Sequence, residues 1–179
     1  MPAKDLAKFP EGVPIFVDAN VFHLYLRGPK SLRDKCTALL ERVESGEVKG
    51  YTSALVLDEL AYKLLLRRIE EVQRRNPLEV IEKNPSAIGE SSSYVDEGLS
   101  IVLGIRGLEI LAIERHHAEK FVAYMRKYSL LPRDALHLSS MMAIGCKDIA
   151  STDGDFDSGQ NSSHVIGSNF GSDVKVKPG

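Results

Sequence analysis

The chain contains no tryptophan and only two cysteines, Cys36 and Cys146. Their separation excludes the C-x-x-C spacing of a zinc or redox site, and their scarcity excludes a disulfide scaffold. Both are expected as buried thiols in a reducing cytoplasm. An excess of one charge is also missing: 23 Lys and Arg against 25 Asp and Glu give a formal charge of −2. That excludes a strongly basic nucleic-acid coat, but not an acidic site beside a separate basic patch. Long apolar runs are absent as well. The longest, residues 99–113, is interrupted by Gly104, Arg106, Gly107 and Glu109, and it is shorter than the roughly 20 residues a membrane-spanning helix needs. The opening Met1-Pro2-Ala3-Lys4-Asp5 lacks the apolar centre of a signal peptide. A cytoplasmic protein without a membrane span is expected.

What remains is the composition of one folded domain, with 43% hydrophobic and 27% charged residues in 179 positions, which leaves ample room for a core. Strand-like runs stand out at 13–17, a short apolar run, and at 48–52, 109–113 and 148–151. Between and after them, residues 20–26, 32–45, 54–75, 118–128 and 133–144 carry helical patterns. Strands alternating with helices predict an α/β fold with a central, mainly parallel sheet flanked by helices. Residues 76–94, punctuated by Pro77, Pro85 and Gly89, read as a loop or short helical insertion. The Gly-, Ser- and Asn-rich tail from Asp157 holds one further candidate strand at 174–176.

In open α/β sheets ligands sit beyond the carboxyl ends of the strands. Asp18 and Asp153 immediately follow two of the expected strands. On the 54–75 helix, Val56, Leu60 and Leu64 form an apolar ladder. Glu59 lies about 100° from Leu60, while Asp58 lies roughly 160° from both Val56 and Leu60. Glu59 therefore borders the buried stripe and Asp58 faces water. Asp134 starts the last helix just after Pro132, sharing a stripe with Leu138, Met141 and Met142. If these acids converge, charges about 4 Å apart repel by about 4 kcal/mol at an effective dielectric of 20. A divalent cation reverses that balance, and an all-carboxylate set favours Mg2+ or Mn2+.

The segments I-F-V-D-A-N-V-F, T-S-A-L-V-L-D-E-L, R-D-A-L-H-L-S-S and I-A-S-T-D-G-D-F occur in that order. In this they resemble the PIN-domain family of metal-dependent nucleases, which includes the VapC-type toxin ribonucleases. The resemblance implies that Asp18, Glu59, Asp134 and Asp153 form the catalytic, metal-holding quartet. It makes Asn20 and Ser151 supporting residues and leaves Asp155 auxiliary. It further implies a Mg2+- or Mn2+-dependent endoribonuclease with an RNA substrate, a homodimer, and an antitoxin partner if the chain is a toxin. Residues 1–157 would then form the PIN-like domain and 158–179 a C-terminal extension. The competing expectation is a non-catalytic member of the same fold that binds RNA or a protein partner.

Other patterns carry less. The run Asp153-Gly154-Asp155-Phe156-Asp157 begins like an EF-hand loop, but Ser158 stands where Gly is required and His164 where a bidentate Glu is required. Asn20 argues against a haloacid-dehalogenase-type phosphatase, which would need Asp there. Lys63, Arg67, Arg68 and Arg133 are candidate phosphate contacts. For the helix bearing Glu59, a solvated face of ion pairs with Glu70 and Glu71 is the alternative. His116 and His117 are expected at the surface, His137 as a brace for Asp134 or a packing residue, and Met141-Met142 in the core.

Overall fold

The computed structural model describes residues 4–5, 9–151 and 164–166. Strands β1 (Lys4–Asp5), β2 (Pro14–Val17), β3 (Lys49–Ser53), β4 (Leu108–Leu111), β5 (Asp148–Ser151) and β6 (His164–Ile166) form one sheet in the order β1-β6-β5-β2-β3-β4. The four adjacent strands β5, β2, β3 and β4 are parallel, as the alternation of strand and helix requires. β6 and β1 continue the β5 side antiparallel.

The register sets Val17 opposite Ala150 on β5, and Phe16 opposite Tyr51 on β3. The carboxyl ends of β2, β3 and β5 therefore finish along one edge, from which α1 (Ala19–Arg27) and α3 (Ala54–Gln73) depart. Ser53 makes the second turn sharp: its Oγ accepts the Val56 N–H at 3.3 Å and caps α3. Val56, Leu60 and Leu64 of α3 are completely buried against Ile15, Phe16, Val17 and Phe22, while Asp58 is exposed. The period read from the sequence is the period of burial. α2 (Lys30–Glu44) packs on α1, and α6 (Arg115–Tyr128) packs on α7 (Pro132–Ala143). Cys36 and Cys146 are free, buried thiols, each pushed up to about 11 by burial. Among the described residues no helix is long and apolar enough to cross a membrane.

The insertion differs most from expectation. It forms two helices, α4 (Pro77–Lys83) and α5 (Ser86–Leu103), and α5 continues well beyond residue 94. Asn76 Oδ1 accepts the N–H groups of Leu78 at 3.0 Å and Glu79 at 3.4 Å, so the Asn-Pro pair starts a helix. The small residues of α5 let it approach α3 closely. Ser91 and Gly98 are buried, and a Cβ on Gly98 would stand 2.6 Å from Leu64 Cδ1.

Three smaller readings also change. β6 arises in the segment read as a tail, while residues 174–176 lie outside the described residues. Met141 is buried but Met142, one helical step round, is 40% exposed. His117 is buried, because its Nδ1 accepts the Glu114 N–H at 2.9 Å and closes a capping box at the start of α6.

Candidate metal centre

Asp18 occupies the N-cap position of α1 in extended conformation, yet its side chain makes no capping bond. Its backbone N–H continues the β2–β5 ladder to Ala150 O at 3.0 Å. Its carboxylate turns aside to accept the Ser151 hydroxyl at 2.8 Å. The carboxylate thus stays at the strand ends instead of closing over the helix.

Glu59 points inward from the first turns of α3 with its side chain 17% exposed. Lys63, one turn on, pairs with Oε1 at 2.7 Å, and Arg133 approaches Oε2 at 3.5 Å. The same Lys63 ammonium donates to Asn20 Oδ1. Asn20 therefore braces the pocket through a lysine that the sequence suggested as a phosphate contact.

The third group is His137, on α7 and only 5% exposed. Asp18, Glu59 and His137 each offer one ligand atom, and those three atoms lie within 4.8 Å of one another. Among the described residues, neither ring nitrogen of His137 has a hydrogen-bond partner. Burial holds its pKa below the usual histidine value, against the charges of Asp18, Glu59 and Asp134, which push it up. Asp134 lies one turn earlier on α7; it is exposed and outside the three-residue group, although its charge reaches the imidazole. Asp153 and Asp155 lie outside the described residues. The sequence offers His137 only as a brace for Asp134, three positions earlier, or as a packing residue.

The remaining basic candidates are engaged within the chain. Arg67 pairs with Glu71 at 2.7 Å and donates to Arg27 O at 3.1 Å. Arg68 lies 5.4 Å from the centre of the Tyr94 ring, and Arg27 lies 4.3 Å from it. Burial and the nearby Arg67, Lys63 and Arg27 lower the pKa of His23.

The PIN domain profile matches residues 15–160 of the chain. The chain belongs to the PIN domain family. Among solved structures, this PIN domain is similar to Mycobacterium tuberculosis VapC20, a Sarcin-Ricin loop cleaving toxin, with a TM-score of 0.51 and 18% identity over 79% of this chain and 92% of that one. It is similar also to VapBC2 from Rickettsia felis bound to a promoter DNA fragment (TM-score 0.48, 15% identity, 80% and 91% of the two chains). A toxin–antitoxin complex from Klebsiella pneumoniae gives a TM-score of 0.48 with 14% identity over 78% and 87%. No curated protein matches the chain by sequence. At these identities the likeness is one of fold.

The pocket of this PIN domain passes a chemical test for a divalent cation. Ligands about 2.1 Å from one octahedral ion lie about 3 Å apart when adjacent and about 4.2 Å apart when opposite. The separations among Asp18, Glu59 and His137, all within 4.8 Å, need only small side-chain adjustments to meet that geometry. Two carboxylates converge at the strand ends, and an ion bound there would compete with Lys63 and Arg133 for Glu59.

Proposed function

We propose that this PIN domain is a divalent-metal-dependent endoribonuclease, using Mg2+ or Mn2+ to hydrolyse RNA phosphodiesters. The observation that supports it best is the convergence of Asp18 and Glu59, 41 positions apart in the chain, into one group with a buried imidazole that has no hydrogen-bond partner among the described residues. Asp18 and Glu59 would hold the ion, with Asp134 and Asp153 completing the acidic set. A divalent cation bound there supplies Lewis acidity toward a phosphoryl oxygen and makes water nucleophilic at neutral pH.

The residues of the chain do the positioning. Ser151 orients Asp18, and Lys63, held by Asn20, pairs with Glu59 and balances its charge until an ion binds. Asp134 stands on the exposed side, where a carboxylate can accept the proton of an attacking water. No side chain forms a covalent bond to phosphorus in this scheme. Arg133, with its side chain half exposed beside Glu59, is the basic group best placed to meet a phosphate. An antitoxin partner, a toxin role and a homodimer belong to the same reading.

Incubation of purified protein with structured RNA and with DNA, each with Mn2+, Mg2+ or EDTA, tests the proposal. Cleavage of RNA should require metal and disappear in Asp18→Asn and Asp134→Asn while both variants stay folded. Full cleavage by both variants would contradict the assignment. Absence of any cutting together with absence of cation binding would favour a non-catalytic binding module. A toxin would arrest growth on expression and be relieved by its antitoxin.

A further inference from the structure

The family resemblance places only carboxylates around the ion. We propose that His137 is a ligand as well, so that the pocket holds its ion through one imidazole nitrogen and the carboxylates of Asp18 and Glu59, and takes Mn2+ in preference to Mg2+. This rests on the reading of the pocket as a divalent-cation site.

Two observations carry it. The first is proximity: the nitrogen of His137 belongs to the same compact group of ligand atoms as the two carboxylates, while Asp134, one turn away on the same helix, does not. The second is an unpaired polar group. His137 is only 5% exposed, and among the described residues neither ring nitrogen has a hydrogen-bond partner. Buried polar atoms without partners are rare in native proteins, because each forfeits its hydration without a replacement bond. A histidine retained only for packing against the Phe16 ring, 5.7 Å away, could be replaced by an apolar residue without that cost. An ion on the imidazole lone pair removes one of the two deficits.

The consequence is selectivity. Mg2+ demands near-ideal octahedral oxygen coordination and gives up water reluctantly. First-row transition ions accept imidazole readily, with affinity rising from Mn2+ onward. One nitrogen donor therefore shifts the preference of an otherwise carboxylate pocket away from Mg2+.

Pulsed electron paramagnetic resonance of the full chain loaded with Mn2+ gives the direct test, because nitrogen bound to the ion modulates the echo. The wild-type spectrum should show nitrogen coupling, and His137→Gln should lose it while binding Mn2+ at least about tenfold more weakly. In competition experiments, wild-type protein should prefer Mn2+ to Mg2+, and the variant should lose most of that preference. Bound Mn2+ without nitrogen coupling would overturn the ligand assignment and leave the cation site standing. No Mn2+ bound at millimolar concentration would overturn both. If His137→Gln fails to fold, the presence or absence of coupling in the wild-type spectrum decides.

Discussion

The Ser151 hydroxyl donates to Asp18 Oδ2 at 2.8 Å although 133 positions separate the two residues. The bond exists because β2 and β5 are neighbouring parallel strands in register, so that their last residues leave the sheet side by side. Outer-shell bonds of this type orient a ligand oxygen and typically change metal affinity 10–100-fold, roughly, when removed. Ser151→Ala should therefore weaken Mn2+ binding by about 10–100-fold while lowering stability by only about 1 kcal/mol. Calorimetric titration and urea unfolding of the same preparation separate the two effects. Unchanged Mn2+ affinity would show that the bond serves the fold alone.

Lys63 and an incoming cation would both address the carboxylate of Glu59. Lys63→Met removes the competitor and also the ion pair. The variant should bind Mn2+ more tightly than wild type and, without metal, be less stable by about 0.5–1 kcal/mol, the range of a partly exposed pair. Thermal unfolding with and without Mn2+ reads both signs. Weaker Mn2+ binding would mean that Lys63 chiefly positions Glu59.

The two acids of the described pocket were legible in the sequence for different reasons. Asp18 follows a short apolar strand, and Glu59 is separated from Asp58 by helical phase alone, which burial upholds. His137 was not legible as part of the group, since its approach to Asp18 depends on how α7 packs beside the sheet. The parallel sheet was readable because its four strands are short strand-like runs that alternate with helical patterns. The insertion was not: Asn, Pro, Ser and Gly are loop formers on average. Here Asn76 caps a helix, and Ser91 and Gly98 make a close helix contact.

His23, His117 and His137 all have pKa values lowered first by burial. In the unfolded chain these imidazoles take up protons near pH ~6.5, whereas in the folded protein they do so only at lower pH. Stability is therefore full above about pH 6.5 and falls as the pH drops toward the folded values. The melting temperature should stay level down to about pH 7 and decline as the pH falls below about 6.5. Protonation of His117 also destroys its acceptance of the Glu114 N–H. His117→Asn should accordingly flatten part of the decline. A melting temperature that rises on acidification would contradict the assignment.

Gly98 and Gly89 lie on the same helix with opposite surroundings. A methyl group on Gly98 meets Leu64 Cδ1 at 2.6 Å, whereas one on Gly89 meets nothing within 4 Å. Gly98→Ala should destabilise by about 1–3 kcal/mol through overpacking. Gly89→Ala should stabilise by about 0.5–1 kcal/mol through helix propensity. Urea denaturation measures both, and equal effects would show that α5 does not press on α3 as described.

The decisive measurement is anomalous diffraction from crystals of the protein soaked in Mn2+. A peak is expected beyond the carboxyl ends of β2 and β5, with Asp18, Glu59 and His137 each about 2.0–2.3 Å from it. Well-diffracting crystals with no anomalous density between those three side chains, their carboxylates still paired only to Ser151, Lys63 and Arg133, would contradict the metal-dependent mechanism.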